Sequence, residues 1–371
     1  MELKTLRILG TRGIPAAHGG FETFAEHLAL YLVAHGWRVV VYCQEDEASQ
    51  VVEDDWQGVE RIHIAVKRTG PIGTIVFDWL ATAHAARYDD LCLTLGYNTA
   101  AFCLLYRLKG IPNIINMDGI EWKREKWSLH ERLWLRINER LGCWFGNNLI
   151  ADHPAIANHL ASLVSREKIT MIPYGANEIL SADESLLNDL AIEPGRYAVL
   201  IARAEPENSV LEIVRAFSCK QRKIYLVVLG QYEPINNSYH RKVLDAASEE
   251  VIFPGAIYDK DIVEALRFFG RLYIHGHKVG GTNPSLVEAL GAGSAVLAHD
   301  NRFNRWVAGD GAHYFASEDE CASQLDKLLD DEAVLGRMSI SSQARFHEVF
   351  TWENVLGQYE RLLISKLPKA A

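Results

Sequence analysis

Short apolar segments alternate with amphipathic helical segments along the whole chain, and this alternation restricts the fold more than any other feature. Residues 6–10 predict a first strand, and apolar residues at helical spacing over 21–34 predict the helix that follows it, ended by Gly36. Further strands are predicted at 38–43, 61–66, 90–95 and 113–116. Continuously apolar strands that alternate with helices are typical of a parallel sheet covered on both faces.

The same alternation begins again after a turn-rich stretch between residues 171 and 195. Strands are predicted at 197–202, 223–230, 251–253, 271–275 and 294–298, with helices at 209–217 and 284–290. A chain of 371 residues is too long for one ordinary hydrophobic core, so two domains are expected. We predict an N-terminal domain over 1–175, a C-terminal domain over 176–350 and a last helical segment within 351–371. One large doubly wound sheet is the alternative.

Composition excludes several classes of protein. Apolar residues make up 49% of the sequence, as in a well-packed globular protein. The net charge of −10 argues against nucleic acid as a partner, because such binding needs a basic field. The six cysteines have neither CxxC pairs nor metal-ligand spacing, so we expect reduced thiols and no metal. No signal peptide or membrane span is expected. We expect a cytoplasmic protein, and leave open a reversible, peripheral contact with the inner face of the membrane.

A glycine-rich loop follows the first predicted strand. Gly10 and Gly13 lie within it, and Gly19 and Gly20 are adjacent at the entry to the next helix. Glycine permits close backbone approach, and a helix N-terminus offers free N–H groups to an anion, so a phosphate or a sugar can bind here. The spacing matches neither a P-loop nor a GxGxxG fingerprint. A tight structural turn is the alternative.

The turn after the strand at 271–275 combines glycines with helix-capping residues. Thr282 or Asn283 can cap the next helix, and Pro284 suits its first turn. The free N–H groups of such a turn suit a diphosphate. Glu288 lies one turn inside the helix, where its carboxylate can accept hydrogen bonds from both hydroxyls of a ribose, or is simply solvated. The donor-binding candidates in this region are Lys278, Gly281, Thr282, Asn283 and Glu288.

Three other polar residues follow predicted strands. Arg203 leaves the strand at 197–202, and its guanidinium matches phosphate oxygens, although a surface ion pair with Glu205 or Glu207 is the alternative. Asp118 and His153 each follow a buried strand and can hold a sugar or an acceptor, although a structural histidine is an equally open interpretation.

An aromatic and basic stretch surrounds Asp118, over residues 116–127. Such a mixture of Trp, Lys and Arg can contact an acceptor sugar, a lipid diphosphate or a membrane surface. Plain solvent-exposed surface is the alternative.

These loops resemble those of the family 4 retaining glycosyltransferases, and in particular their bacterial rhamnosyltransferase branch. The resemblance rests on GTRGIP…GGFET at 10–23, DGIEWKR at 118–124 and HGH…GGTNPSLVEAL at 275–290, and it covers nearly the whole chain. It implies the GT-B fold, in which two α/β domains with Rossmann-like, doubly wound parallel sheets face each other across a cleft. It also implies that the last helix crosses back to the N-terminal domain.

The resemblance further implies a reaction and its partners. The donor would be a dTDP-, UDP- or GDP-linked sugar, with dTDP-rhamnose favoured, and transfer would retain the anomeric configuration. We expect a saccharide or polyprenyl-diphosphate-linked acceptor, a role in cell-surface polysaccharide biosynthesis, and no cofactor or metal. Gly19 and Gly20 would lie beside the donor diphosphate or reacting centre, Arg203 would contact the phosphates, and Glu288 would bind the ribose.

Three residues depart from the family pattern. Gly280 stands where the family usually has the first glutamate of its Glu-x7-Glu motif, Asn208 where many members have a phosphate-binding lysine, and Asp118 where many have a histidine. We interpret these changes as bearing on donor identity more than on activity.

Other functions remain open from the sequence alone. One is a nucleotide-sugar epimerase or hydrolase, and another is a non-catalytic relative that binds a sugar nucleotide. A third is an NAD-dependent dehydrogenase in which Glu45 and Asp46 bind the ribose, although the glycine fingerprint is wrong for it.

Overall fold

The computed structural model describes residues 4–17, 19–45, 51–67, 70–124 and 127–367. The chain forms two compact units. The first consists of Met1–Pro173 together with Trp352–Ala371, and the second consists of Tyr174–Thr351. The chain therefore leaves the first unit once and returns to it for its last helix.

The first unit is built on a single sheet. Its described strands are β1 (Thr5–Leu9), β2 (Arg38–Glu45), β3 (Val52–Trp56), β4 (Val59–Ala65), β5 (Leu91–Leu95), β6 (Asn113–Asn116), β7 (Asn148–Ala151) and β8 (Ile169–Met171). They lie in the order β3-β4-β2-β1-β5-β6-β7-β8, and every pairing is parallel except that of β3 with β4. Successive residues of β6 and β7 are all buried, which requires protein on both faces of the sheet.

Helices connect these strands. They are α1 (Gly20–Ala34), α2 (Gly70–Ala85), α3 (Leu104–Lys109), α4 (Leu129–Phe145) and α5 (Pro154–Ala161), with short 3-10 turns at Ala100–Cys103, Glu121–Lys123 and Arg166–Lys168. Helix α4 begins with a capping box, in which Ser128 accepts from the backbone N–H of Glu131 and the Glu131 carboxylate accepts from the backbone N–H of Ser128. Helix α1 begins after Gly19, which offers no side-chain cap.

The second unit repeats the architecture with six described strands. They are β9 (Tyr197–Ile201), β10 (Tyr225–Leu229), β11 (Val251–Gly255), β12 (Leu272–His275), β13 (Val296–His299) and β14 (His313–Phe315), all parallel, in the order β11-β10-β9-β12-β13-β14. Alternate residues of each strand enter different apolar clusters. Leu200 and Ile274 pack into one cluster, while Val199 and Tyr273 pack into the other. Both faces of this sheet are therefore covered.

Seven described helices belong to the second unit, and one more completes the first. Those of the second unit are α6 (Val210–Ser218), α7 (Ser238–Asp245), α8 (Lys260–Phe268), α9 (Pro284–Gly291), α10 (Arg302–Ala308), α11 (Glu318–Leu328) and α12 (Glu332–Val349), with 3-10 turns at Glu184–Leu190 and Pro206–Asn208. Helix α13 (Trp352–Lys366) packs on α1 of the first unit. The rings of Phe24 and Tyr359 lie 4.6 Å apart, and the Trp37 indole donates to Glu360 at 2.9 Å.

The two parallel sheets confirm the α/β fold predicted from the alternating pattern. The antiparallel strand β3 is not predicted by that pattern, because most of Val52–Trp56 is exposed and three of its residues, Glu53, Asp54 and Asp55, are acidic. Within the described residues, no helix has the length and apolar character to cross a bilayer.

A carboxyl group in α2 anchors the loop that follows β5. Asp78 accepts a hydrogen bond of 2.8 Å from the Thr99 hydroxyl, and burial raises the pKa of the Asp78 carboxyl from 3.8 to about 6. The folded protein therefore holds this proton more tightly than the unfolded chain does. Its contribution to stability is present at low pH and is lost as the pH rises between these two pKa values.

We predict that Asp78→Asn removes this loss of stability, because asparagine keeps an oxygen acceptor for Thr99 without the buried charge. Urea unfolding at about pH 3.5 and about pH 7.5 measures the effect. The variant should match the wild type near the lower pH and exceed its free energy of unfolding at the higher one. A difference between variant and wild type that stays the same at both pH values would contradict the prediction.

Candidate functional site

The strand order of the second sheet reverses between β9 and β12, which pair in parallel. Ligands of open α/β sheets bind at such a reversal, outside the carboxyl ends of the strands. Two loops leave this point: the β9 loop, residues 202–209, and the β12 loop, residues 276–283. The sequence-predicted donor residues of the second unit lie on these loops and on the helix that follows the second of them.

The β9 loop and the β12 loop touch through their backbones. The N–H of Lys278 donates to the carbonyl oxygen of Glu207 at 2.9 Å. A side chain at Gly276 would collide with the carbonyl group of Asn208, so glycine is required for this close approach. The fold thus brings the two predicted motifs into one site.

Arg203 is exposed on the β9 loop, while its backbone is fixed. Its carbonyl oxygen accepts from the Glu205 N–H at 2.7 Å and from the Asn208 side-chain amide at 2.9 Å. No carboxylate in the described part of the chain forms an ion pair with its guanidinium, so the predicted alternative of a pair with Glu205 or Glu207 is not found there. A guanidinium that keeps its charge and its donors is suited to phosphate oxygens.

Asn208 is buried and its side chain serves the loop itself. Its amide nitrogen is committed to the Arg203 carbonyl, and only 3% of the residue is exposed. Many of the resembled proteins have a lysine at this position. Asn208 instead stabilises the backbone of the loop and brings no charge.

Helix α9 begins in the β12 loop as its capping residues predict. Of the two candidate capping residues, Asn283 is the N-cap, and its Oδ1 accepts from the Ser285 N–H at 3.0 Å. Pro284 is the first residue of the helix. Thr282, directly before the cap, is buried. The positive end of this helix is thus formed in the loop that touches the Arg203 loop.

Gly280 has a backbone conformation that explains why no side chain is present. Its φ is +140°, a value that residues with a side chain rarely adopt, although open space surrounds the position where a Cβ would lie. The absence of the first glutamate of the Glu-x7-Glu motif therefore accompanies a glycine-specific backbone at this point of the β12 loop.

Lys278 is only partly available as a positive charge. Its ammonium group lies 3.2 Å from the carboxylate of Glu212 on α6, and both side chains are more than a third exposed. Exposed ion pairs are weak, so a more highly charged anion can compete for the lysine. The sequence motifs do not identify Glu212, because it lies on another element.

Glu288 has a structural partner that the motifs do not reveal. Its carboxylate lies 2.5 Å from the guanidinium of Arg267, a buried residue of α8, and that guanidinium also donates to the Ser285 hydroxyl at 3.2 Å. The Glu288 side chain is still 38% exposed, so the ion pair does not seal it away from solvent. The only sequence signal for Arg267 is an arginine directly after the apolar Ala265 and Leu266.

A buried histidine ends β12, beneath the site. His275 is fully buried, and its ring stacks on that of His277 with centroids 4.4 Å apart. Burial, reinforced by His277 and His299, holds the pKa of His275 well below its ordinary value. Neither ring nitrogen has a hydrogen-bond partner among the described residues. His275 is therefore an uncharged, buried side chain at the end of β12.

In the first unit, the loop after β1 borders a pocket of about 420 Å³. Its charged lining residues are Arg12, Glu22, Glu45, Arg61 and His63. The ring nitrogens of His63 lie 2.7 Å from Glu45 and 3.0 Å from Asp54. Carboxylates and cations that face one another around such a pocket can bind hydroxyl groups without a large net charge.

Gly19 and Gly20 lie at the start of α1, beside this loop. Gly19 occupies the N-cap position with extended backbone, and its carbonyl accepts from the Thr23 N–H at 3.1 Å. As a glycine, Gly19 has no side chain with which to cap the helix. Glu22 is close by and its carboxylate accepts from the Arg12 N–H at 3.3 Å.

Asp118 and His153 follow β6 and β7, which are neighbouring parallel strands. Both residues thus lie at the same edge of the first sheet. Asp118 has a φ of +50°, which is uncommon for a residue other than glycine, and its N–H donates to the Asn116 side chain at 3.0 Å. His153 is buried and caps α5, where its Nδ1 accepts from the Ala155 N–H at 2.9 Å. That bond places the proton of a neutral ring on Nε2.

The remaining sequence candidates are also located. Glu45 ends β2 with its carboxylate against His63, and Asp46 lies outside the described residues. In the aromatic and basic stretch, the Trp122 indole donates to Glu139 at 3.1 Å. No group of three or more His, Cys, Asp or Glu side chains arranged to hold a metal ion occurs in the described part of the chain.

Two family models match successive parts of the sequence. Residues 3–177 match a domain of unknown function, DUF1972, and residues 184–346 match "Glycosyl transferases group 1". No curated protein sequence matches the chain.

Solved structures match nearly the whole chain. A sucrose-phosphate synthase from Thermosynechococcus elongatus is similar with a TM-score of 0.81 and 17% identity, over 98% of this chain and 99% of that one. HepE from Anabaena, in complex with UDP and glucose, is similar with a TM-score of 0.77 and 15% identity, over 98% and 100%. A UDP-forming α,α-trehalose-phosphate synthase from Burkholderia xenovorans, in complex with glucose-6-phosphate, has a TM-score of 0.72 and 13% identity, over 97% and 100%.

The fold and the matched domain together define the class. The chain has the GT-B fold, and its second unit carries a glycosyl transferases group 1 domain, so it is a glycosyltransferase of the GT-B class.

We predict that Glu288→Ala lowers the free energy of unfolding by about 2 kcal/mol, because it leaves the buried Arg267 charge without its carboxylate. Glu288→Gln keeps a hydrogen-bond acceptor and should cost less. Glu332→Ala is the matched control, since it breaks an ion pair between Arg271 and an exposed glutamate and should change stability by less than about 1 kcal/mol. Urea unfolding measures all three, and equal losses for Glu288→Ala and Glu332→Ala would contradict the structural role of Glu288.

Proposed function

We propose that this chain is a retaining glycosyltransferase that moves a sugar from a nucleoside-diphosphate donor to an acceptor hydroxyl. Rhamnose is the favoured sugar, and the acceptor is a saccharide or a polyprenyl-diphosphate-linked saccharide in cell-surface polysaccharide biosynthesis. One observation carries the donor side of the proposal. The β9 loop presents a guanidinium without a described carboxylate partner, and the β12 loop that touches it forms the N-terminus of α9.

A diphosphate is the ligand group that suits this combination. Its oxygens accept from a guanidinium fork and from backbone N–H groups at a helix N-terminus, and the helix dipole adds to the attraction. HepE is named in complex with UDP and with UDP-glucose, which supports a nucleoside diphosphate as the ligand here too. We propose Arg203 and the turn of Gly281, Thr282 and Asn283 as the phosphate site, with Lys278 as a second cation.

The same groups would assist the reaction. As the bond between the anomeric carbon and the diphosphate oxygen breaks, negative charge grows on the leaving group, and preorganised positive groups stabilise it. The acceptor oxygen forms the new bond to the anomeric carbon, and its proton passes to a leaving phosphate oxygen on the same face. This route needs neither a pair of catalytic carboxylates nor a metal ion.

Glu288 is proposed to bind the ribose of the donor. The hydrogen bond from Arg267 and the partial exposure of the Glu288 side chain support this role. The arginine orients one carboxylate oxygen, and the carboxylate has further lone pairs that can accept from hydroxyl groups. The glycine at position 280 affects which donor sugar fits the site. Without a carboxylate at that position, a 6-deoxy sugar such as rhamnose, which has one hydroxyl fewer to satisfy, is a better fit than a fully hydroxylated hexose.

The first unit is proposed to bind the acceptor. Its pocket beside Gly13 has both carboxylates and cations in its lining, which suits the hydroxyl groups of a saccharide. Asp118 and His153, at one edge of the same sheet, are proposed to hold the acceptor or the transferred sugar. Gly19 and Gly20, at the start of α1, are proposed to lie beside the donor diphosphate or the reacting centre.

The donor must first be identified. Thermal unfolding of the purified protein with dTDP, UDP and GDP, and with their sugars, ranks the nucleotides, because a ligand that binds only the folded state raises the unfolding temperature. NAD should give no shift. Sugar transfer from the selected donor then requires an added acceptor, whereas an epimerase or a hydrolase would change the donor alone.

We predict that Arg203→Ala lowers kcat roughly a hundredfold with the selected donor, because one donor of positive charge to the leaving group is lost. Arg203→Lys should recover part of this activity. Arg196→Ala is the matched control, since Arg196 is an exposed arginine at the opposite, amino end of β9. Unchanged kcat and donor affinity in Arg203→Ala would overturn the proposed phosphate site.

A further inference from the structure

Helix α4 exposes a row of large apolar side chains. Leu129 is 81% exposed, Leu133 58%, Ile137 47% and Trp144 61%. Spacings of four, four and seven residues place these side chains on one face of the helix. A contiguous exposed apolar row is uncommon on a protein surface and marks a site of interaction.

A row of arginines runs beside the apolar row. Arg132, Arg136 and Arg140 are also spaced by four residues, so they follow the same side of the helix. The two glutamates of the helix lie elsewhere. Glu131 closes the capping box at the first turn, and Glu139 is buried and accepts from Trp122 and His159. The seven residues Leu129, Arg132, Leu133, Arg136, Ile137, Arg140 and Trp144 are called the α4 surface below.

Further apolar and basic side chains lie on elements next to α4. Helix α3 packs beside α4, and its Leu108 is 75% exposed, between Arg107 and Lys109. At the other end of α4, the Lys168 ammonium group donates to the Cys143 carbonyl at 2.6 Å. Burial, together with the positive charge of Arg107, lowers the pKa of Lys168.

The occupant of such a surface has to be anionic and to accept apolar side chains. The chain as a whole carries a net charge of −10, so a basic and apolar helix face is a local exception. A second copy of the chain would bring the same arginines against one another, which opposes association. The headgroup region of an anionic bilayer satisfies both requirements, because leucine, isoleucine and tryptophan enter the acyl boundary while arginines remain among the phosphates.

We propose that the α4 surface binds the headgroup region of an anionic lipid bilayer and holds the protein there as a peripheral protein. The inference does not depend on the proposed transferase reaction. The helix lies in the plane of the interface with its apolar row towards the acyl chains. The reaction could then take place beside a lipid-linked acceptor.

Co-sedimentation of the full chain with vesicles tests the proposal, in the absence of any donor. Vesicles of phosphatidylcholine alone are compared with vesicles that also contain phosphatidylglycerol. The wild type should bind the anionic vesicles, and binding should weaken as salt is added, because headgroup attraction is screened. Leu133→Ser with Ile137→Ser should lower the partition coefficient roughly tenfold or more. Arg136→Ala with Arg140→Ala should lower it roughly fivefold for each arginine lost.

Matched controls come from the second unit. Ile235 and Ile340 are 87% and 68% exposed, and their replacement by serine removes a similar apolar area without touching α4. These variants should bind vesicles as the wild type does, and all variants should keep the wild-type unfolding temperature because every changed side chain is at the surface. Equal binding to both kinds of vesicle, or equal losses in the α4 and control variants, would overturn the proposal. So would a wild-type dimer in sedimentation velocity that the α4 variants convert to monomer, since the surface would then face a second copy.

Discussion

The functional geometry of the second unit depends on one topological constraint, the reversal of strand order between β9 and β12. Because these strands are parallel neighbours, the loops that leave them begin side by side. The hydrogen bond from Lys278 to Glu207 and the need for glycine at position 276 show how tightly the loops meet. This contact joins the loop that carries Arg203 to the loop that leads into α9, although the two are distant in sequence.

Charge is distributed unevenly over the polar groups of this site. The Arg203 guanidinium has no ion pair with a carboxylate of the described residues. Lys278 forms an ion pair with Glu212, and Glu288 forms one with the buried Arg267. The neutral His275 below them adds no charge of its own. The proposed diphosphate site therefore relies on the Arg203 guanidinium and on the dipole of α9, with Lys278 as a second cation.

Much of the fold follows from local patterns in the sequence. Strands buried on both faces are continuously apolar, so the sequence predicts β1, β2 and β9. Asn283 and Pro284 predict the start of α9. Strand β3 was missed because it is exposed and acidic, and so carries no apolar pattern. The pairs of Glu288 with Arg267 and of Lys278 with Glu212 join different helices and loops, and only tertiary packing creates them. The capping role of His153 likewise depends on a backbone bend that its sequence does not specify.

The central claim is that a nucleoside diphosphate binds against the backbone of the β12 loop. Chemical shifts of ¹⁵N-glycine amides measure this directly, because Gly280 and Gly281 lie in that loop while Gly309 and Gly311 follow α10, away from it in the sequence. Titration with the nucleoside diphosphate that most stabilises the protein should shift the Gly280 and Gly281 signals and leave those of Gly309 and Gly311 unchanged. Saturating binding that leaves Gly280 and Gly281 unmoved would contradict the claim.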